Sequence, residues 1–393
     1  MQILLVGGTG VLSSAITTEA LKQGIHVTMI NRGNNLKDLP NGIHLIKSDR
    51  KNYNNIRSQL HGQKFDAVID FLCYTQRDTE ESFNLYKDFT EQYFFISSCA
   101  VYDTRLGIVC SEDSPKVLPM WTYSVEKWDS ELHLINLAKS AQTNYTIIRP
   151  CVTYGNTRIP YGISPTYGYH WTLAARILAD KPIIRWNEGK NRCNMTRVED
   201  FAIGVVGLIG NPKAYNEAFN VCGEETPSFN DVLNEISAYL KKDVVVFDIS
   251  SEEYAKEIPS RSGEILGGRS IDAINSNNKI KQVVPEFKQT LSLSQGIHKT
   301  LSAYINQNYQ KGIDWKFDAE TDRIIKKFSD KEINTGKKYK IGFVDYLGTA
   351  TFADKLTYWF EFYKENRYIT ILLRVLSLSL RIIYKCKRFI SAK

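Results

Sequence analysis

Cysteine is scarce and without pattern in this sequence. The seven cysteines, Cys73, Cys99, Cys110, Cys151, Cys193, Cys222 and Cys386, are odd in number and never stand in C-x-x-C spacing, which argues against both disulfides and zinc. A reducing cytoplasm is therefore the expected compartment. Histidine is sparse as well, and no second histidine lies at ligand spacing from His170, so no metal site is expected. No cleavable leader is recognisable, because Met1 leads directly into an apolar strand-like run.

An excess of one charge is lacking over most of the chain. The net charge is +7, and Lys364 to Lys393 alone holds eight Lys or Arg against one acid, Glu365, which accounts for all of it. The remainder is formally neutral, so a general nucleic-acid-binding surface is not expected. With 43% hydrophobic and 24% charged residues among 393, the chain is globular in composition and long enough for more than one structural unit.

What is present begins at the first turn. Ile3 to Val6 form a short apolar run, Gly7, Gly8 and Gly10 interrupt it, an amphipathic segment runs to Lys22, and a second apolar run spans His26 to Ile30. Strand, glycine turn, helix and strand is the order that dinucleotide binding requires, because glycines let the backbone approach a pyrophosphate whose charge rests on the following helix N-terminus. Gly7 and Gly10 fill two places of a Gly-x-x-Gly-x-x-Gly pattern, and Ser13, small enough for close packing, fills the third.

The second strand ends in Asn31-Arg32-Gly33, where an NAD-preferring site usually offers an acid to the ribose. Arg32 can instead pair with a 2′-phosphate, which favours NADP over NAD. Ile43 to Lys47 is the next strand and delivers Asp49 to the adenine edge. Arg50, and Phe71 at the end of the strand Phe65 to Phe71, are placed in the same cofactor-binding set. Further strands at Gln92 to Ile96 and helices near Tyr53 to Leu60 and Thr79 to Phe89 imply a doubly wound parallel Rossmann sheet of the α/β class.

Ser97-Ser98-Cys99-Ala100 follows the Gln92 strand, and Tyr123 and Lys127 come later, four residues apart and so on one helix face, which Glu131 continues. Together with Gly7 to Gly10, Asp49 and the strand end Arg149-Pro150, these residues resemble the short-chain dehydrogenase/reductase superfamily. The added length and the segment Arg197 to Ala202 resemble its extended branch, the NAD(P)-dependent epimerases and dehydratases. Gly-Gly-Thr-Gly-x-x-Ser with Asn-Arg-Gly is similar to an atypical subgroup that includes relatives of chloroplast stem-loop-binding proteins.

The resemblance, which covers Met1 to about Tyr304, implies a nicotinamide enzyme acting on a sugar or nucleotide sugar. Tyr123 is the implied acid/base, its phenol lowered from about 10 by the Lys127 ammonium and the positive nicotinamide. Ser98 holds the reacting oxygen, and Lys127 also holds the nicotinamide ribose. Cys99 and Ala100 stand where dehydratases of this branch carry an Asp-Glu pair, so epimerase or keto-reductase chemistry is expected over elimination. The alternative is a member that binds the cofactor and acts as a binding or regulatory protein, for example on RNA.

Two departures affect the substrate. Val152 stands where nucleotide-sugar enzymes place an asparagine, and Cys193 where they often place an arginine, although Arg192 is adjacent and Arg185 close by. The turn-rich, aromatic segment Tyr154 to Trp171 reads either as a lid, with His170 and Arg158 its polar groups, or as interdomain packing.

The expected organisation is a Rossmann domain over 1–155, to which segments near 183–221 return, a smaller α/β substrate-binding region over 156–305, and a helical extension over 306–393. Helices are expected at Trp171 to Ala179, Val198 to Ile209, Phe229 to Leu240 and Leu291 to Tyr304. In the extension, Arg367, Arg374, Arg381 and Arg388 recur every seven residues as a basic stripe. Ile369, Leu372, Leu373, Leu376, Leu380 and Ile383 fall opposite. An arginine at every second turn excludes a span of the ~20 mostly uncharged residues that crossing requires. A helix on an anionic membrane surface through 367–388 is one reading. The other is that the apolar face packs on the protein's own body or across a homodimer.

Overall fold

The computed structural model of the protein describes residues 1–33, 40–117, 119–163, 170–306, 312–329 and 341–375. The chain opens with β1 (Gln2–Val6), α1 (Val11–Lys22), β2 (His26–Asn31), β3 (Ile43–Lys47) and α2 (Tyr53–Leu60). There follow β4 (Phe65–Asp70), α3 (Gln76–Tyr86), β5 (Thr90–Ile96), α4 (Thr122–Ala138), β6 (Asn144–Pro150) and β7 (Val152–Tyr154). Next come α5 (Trp171–Leu178), β8 (Ile183–Arg185), β9 (Met195–Arg197), α6 (Val198–Gly207), β10 (Glu217–Val221), α7 (Phe229–Leu240) and β11 (Val246–Asp248). The helices α8 (Ser251–Glu257), α9 (Ser262–Glu264), α10 (Asn278–Val283), α11 (Leu293–Asn306), α12 (Trp315–Phe328) and α13 (Phe352–Phe362) complete the order. The helices expected beyond residue 170 are present within a few residues of their expected ends.

Contacts divide the chain into two units. The first comprises Met1–Gly155, Lys190–Val232 and Ile258–Gly296, and the second Asn156–Gly189, Leu233–Glu257 and Ile297–Lys393. The first unit holds a seven-stranded sheet in the order β10-β6-β5-β4-β1-β2-β3, parallel throughout. It is the doubly wound sheet expected. Alternate residues of each strand serve opposite faces. Ile3 and Leu5 point with Val27, Met29 and Ile69 toward α1 and α6, whereas Leu4 and Val6 point with Ile30, Val68 and Phe95 toward α2, α3 and α4. The strand order reverses between β1 and β4, and the carboxyl ends at such a reversal form the crevice where this architecture binds ligands.

The returning segments differ from the expected 183–221. Residues 190–232 and 258–296 join the first unit, while β8 stays in the second, where Ile183 to Arg185 pairs with Val246 to Asp248 of β11. Within 306–393, the described residues also belong to the second unit, and the reason is a set of buried charges. Arg176 on α5 donates to Asp318 at 2.5 Å and Asp322 at 2.9 Å on α12, and Lys181 lies 2.9 Å and 2.6 Å from the same two carboxylates, all fully buried. Tyr346 donates to Asp318 at 2.8 Å and Tyr358 of α13 to Asp322, so the last helices are bonded into the unit rather than appended to it.

Sequence sets where these helices start. The side chain of Asp314 accepts from the Phe317 N–H at 2.9 Å, and Thr351 with Asp354 forms a reciprocal capping box on α13. Residues 367–375 are helical again, with Leu373 buried and Ile369 half-buried. Leu372, expected beside them, is 64% exposed. The apolar side chains thus divide between two faces, because Leu373 is turned to the fold and Leu372 away from it. Arg367 and Arg374 are exposed, and Leu376, Leu380, Arg381, Ile383 and Arg388 lie outside the described residues.

Removing one partner from a fully buried ion network strands the others in a low-dielectric interior, which costs about 3–5 kcal/mol. Asp318→Ala should lower stability by that order in urea unfolding followed through Trp315, which stacks on Tyr346 at 5.6 Å. A loss under about 1 kcal/mol would show that the network holds little of the unit together.

Candidate active site

The glycine turn is shaped by steric demand at Gly7 and Gly8, where an added Cβ would run into Leu72 and Met29. Gly7 has φ +85°, and a Cβ there would fall 2.7 Å from Leu72 Cγ, so only glycine fits. At Gly10 a Cβ would meet only Ser13 Oγ at 3.4 Å, leaving the space before α1 open. Ser13 does more than fill the third glycine's place: its Oγ accepts from the Gly10 N–H at 2.8 Å and donates to the carbonyl of Gly7 or Gly10 at 3.2 Å, which braces the turn. The first turn of α1 has no acidic residue and no capping side chain at Gly10, so its free N–H groups are suited to an anion.

Around this turn the other expected cofactor residues take different parts. Asn31 donates to Thr9 Oγ1 at 3.0 Å and accepts from the Gly33 N–H at 3.0 Å, tying the exit of β2 to the glycine turn. Arg32 beside it is exposed. Asp49 is exposed, its carboxylate accepting from the Lys51 N–H at 2.9 Å. Phe71 is half-buried against the core, its N–H on the Val6 carbonyl at 3.1 Å. Arg50 is engaged elsewhere: its guanidinium donates to the Leu72 carbonyl at 2.5 Å and forms an ion pair with Asp78, the capping residue of α3. That pairing makes Arg50 a brace for the loop over Gly7 rather than a free cation.

The groups expected to react lie on α4 and just past the end of β5. Ser98 follows the end of β5, and its Oγ accepts from the Ala100 N–H at 3.1 Å. Tyr123 stands one turn before Lys127 on α4, and Ser98 is placed to favour the anion of its phenol. Lys127 is 3% exposed and donates to the carbonyls of Cys73 at 2.7 Å and Ile96 at 2.8 Å. Its Nζ lies 5.0 Å from the Phe95 ring centre and 5.9 Å from that of Tyr123.

These environments reverse one expectation. Burial lowers Lys127 to about 8, against the opposing charges of Cys73, Asp70 and Glu131. Burial likewise raises Tyr123 to about 12, in spite of the help of Ser98. The protein's own groups therefore keep the phenol protonated, because the desolvation of its anion outweighs the help of a lysine already bound to two carbonyls.

Behind the trio lies a frame that only partly stood out in the sequence. Glu131 and Arg149 form a buried bidentate pair at 3.0 Å and 2.6 Å, and Ser97 also donates to Glu131. Arg149 donates onward to the Tyr102 hydroxyl at 2.7 Å, which donates to Asn220 Oδ1 at 2.7 Å. Ser97, Tyr102 and Asn220 were not legible, having no periodic signal. Glu131 was, four residues past Lys127.

A second missed segment is 258–270. Gly263 and Gly268 lie against residues 120 and 121, where a Cβ on either would come within 2.7 Å of Met120 O or the Trp121 ring, and Trp121 packs on Tyr123 with centres 5.6 Å apart. This brings Glu264, ion-paired to Arg261 at 3.1 Å and Arg269 at 3.3 Å, near enough for its charge to raise the Tyr123 phenol. Arg192 and Arg185 are instead paired with Asp272 at 3.0 Å and Asp248 at 2.7 Å. From the segment Tyr154 to Trp171, Arg158 and His170 belong to the second unit, where the His170 N–H donates to the Tyr304 hydroxyl at 2.9 Å; residues 164–169 lie outside the described residues. Among the described residues no cluster of metal-ligating side chains occurs.

Comparison with known proteins matches residues 3–222 to the NAD dependent epimerase/dehydratase family. Chloroplast stem-loop binding protein of 41 kDa b from Arabidopsis thaliana is 30% identical over 246 residues, 58% of this chain and 60% of that protein. The match therefore spans less than two thirds of that relative. UDP-glucose 4-epimerase from Vibrio cholerae is 22% identical over 249 residues, 60% of this chain and 71% of that one. Among solved structures, UDP-glucuronic acid 4-epimerase from Bacillus cereus in complex with NAD superposes with a TM-score of 0.61 at 20% identity, covering 79% of this chain and 100% of that one. At that identity the likeness shows the fold.

The Lys127 environment has a measurable consequence. Unfolded, the lysine regains its ordinary value of 10.5, so between pH 8 and 10.5 the unfolded chain binds more protons and stability rises with pH. The stability difference between wild type and Lys127→Met in urea unfolding should move in favour of the wild type across that window. A flat difference would mean that the ammonium is not desolvated.

Proposed function

Because this chain belongs to the NAD dependent epimerase/dehydratase family, we propose that it transfers hydride between a nicotinamide cofactor and a secondary alcohol or keto carbon of a sugar or nucleotide sugar. The observation that carries this reading is the meeting of Ser98, Tyr123 and Lys127 at the carboxyl end of β5, where Ser98 favours the anion of the Tyr123 phenol and the Lys127 Nζ lies 5.9 Å from its ring centre.

The glycine turn fits the cofactor. Gly7 lets the backbone turn beneath Leu72, Gly10 leaves the space before α1 open, Ser13 braces the turn, and the first turn of α1 offers N–H groups to a pyrophosphate. A bound nicotinamide supplies the hydride acceptor or donor, and a positive charge when oxidised. Lys127 has three N–H donors, two on backbone carbonyls. Its third is left for a ribose hydroxyl.

Tyr123 moves the proton at its Oη. With the phenol at about 12 in the protein alone, it is a proton donor at neutral pH, ready for a carbonyl that gains hydride. In the oxidative direction the nearby positive charge favours the phenolate and makes Tyr123 the base. Ser98 Oγ holds the reacting oxygen in line. Cys99 is buried and its thiol pushed well up by that burial, so it moves no proton beside Ser98, and elimination is disfavoured against epimerisation or keto reduction.

A second reading rests on the likeness to the chloroplast stem-loop binding protein: a cofactor-holding protein that binds RNA without turnover. The formally neutral charge outside Lys364 to Lys393 speaks for the enzyme. Tyr123→Phe separates the two. As an enzyme the variant should lose turnover at least about a hundredfold and keep cofactor affinity, since only the proton-transfer group is removed. Hydride transfer that survives this change overturns the acid/base assignment.

Cofactor choice follows from exposed Arg32 and the missing acid after Ile30. NADPH should bind more tightly than NADH, and Arg32→Ala should narrow the gap by about 1.5–3 kcal/mol, the worth of a charge-assisted phosphate contact. Fluorescence titration that finds equal affinities in the unmodified protein would sink the preference.

A further inference from the structure

The helical residues 367–375 carry apolar side chains on two sides. On one, Leu373 is buried and Ile369 and Thr370 are half-buried, so this side is turned to the fold. On the other, Tyr368, Ile371, Leu372 and Val375 are 86%, 51%, 64% and 61% exposed. Their spacing of i, i+3, i+4 and i+7 makes a single stripe roughly 100° wide, pointing away from the buried side. Arg367 and Arg374 are exposed, and at about 100° per residue both fall roughly a quarter-turn from the middle of the stripe, along one border.

An outward apolar stripe needs an occupant, since soluble surfaces rarely leave such a patch uncovered. Charge selects among the candidates. Lys364 to Lys393 holds eight Lys or Arg and one acid, so a second copy would bring the same positive excess against this one. A partner with fixed negative charge above an apolar layer satisfies both features at once. Arginines at the border of the stripe reach the charged level while their stems lie along the apolar one, and Tyr368 suits the boundary between them. We propose that this stripe, rimmed by Arg367 and Arg374, docks the protein on an anionic lipid surface.

Co-sedimentation of the full chain with vesicles tests this. The protein should bind phosphatidylcholine vesicles containing phosphatidylglycerol at low salt, and bind roughly tenfold more weakly when the anionic lipid is omitted or salt is raised. Ile371→Ser with Leu372→Ser should cost about tenfold or more in vesicle affinity, since both side chains leave water only in the docked state. Arg374→Glu is a second variant, resting on no packing, and should weaken binding to anionic vesicles while leaving the thermal melt unchanged. A full chain that stays in the supernatant at low salt overturns the proposal, as does binding that survives both variants. So does sedimentation velocity that finds a dimer broken by the serine pair without vesicle binding, because the stripe is then a contact between copies.

Discussion

The buried pair of Glu131 and Arg149 is the interaction on which the rest of the site depends. Taking both charges out of water costs several kcal/mol each, and the cost is recovered only when the remaining donors and lone pairs are satisfied. Here they are: Arg149 spends its nitrogens on both Glu131 oxygens, the Tyr102 hydroxyl and the Glu112 carbonyl, and Glu131 takes a further bond from Ser97. Because Ser97 precedes Ser98 and Glu131 lies one turn beyond Lys127, a single ion pair fixes the end of β5 against the face of α4. The same pair fastens β6, through Arg149, to its neighbour β10, through Tyr102 and Asn220. Geometry at Ser98 and Tyr123 is thus set by charges that touch neither.

That frame explains why the resting state of the trio differs from the simple picture of a lysine activating a tyrosine. An ammonium lowers a neighbouring phenol only as far as its charge is both present and unspent. Lys127 is held by two carbonyls in a pocket of Phe95 and Tyr74, where its own charge is disfavoured. The phenol in turn is shielded by Trp121 and faces the charge of Glu264. Protonated tyrosine is the state these residues prefer. In the function proposed above, the charge that turns Tyr123 into a base is the one that arrives with the oxidised cofactor.

The sequence made legible what depends on neighbours along the chain. The glycine turn follows from φ and close approach at Gly7, and the shared face of Tyr123, Lys127 and Glu131 from helical period. What was hidden depends on partners far away. Arg50 reads as a free cation until Asp78 is brought to it, and Arg192 until Asp272 is. Arg176 and Asp318 are 142 residues apart, so nothing local announces that the extension is bonded into the second unit. Residues 258–270, without a periodic signal, gave no sign that Glu264 would reach the surroundings of Tyr123.

The terminal helix shows the same limit in a sharper form. A helical wheel of 367–388 divides basic from apolar, which suffices for a helix that meets one partner. This helix meets the fold along Leu373 and presents Ile371 and Leu372 outward, so its apolar residues serve two surfaces and the arginines mark the line between them. Periodicity cannot assign side chains to two apolar surfaces, because both reward the same residue types. Burial can, since Leu373 is 6% exposed and Leu372 64% although they are adjacent. The charge ledger then acquires a structural meaning. The remainder is formally neutral, and the whole excess lies between Lys364 and Lys393, the stretch that includes helical residues 367–375 and their exposed apolar stripe. In the docking proposed above, concentrating the charge there restricts attraction to the place where apolar contact follows it.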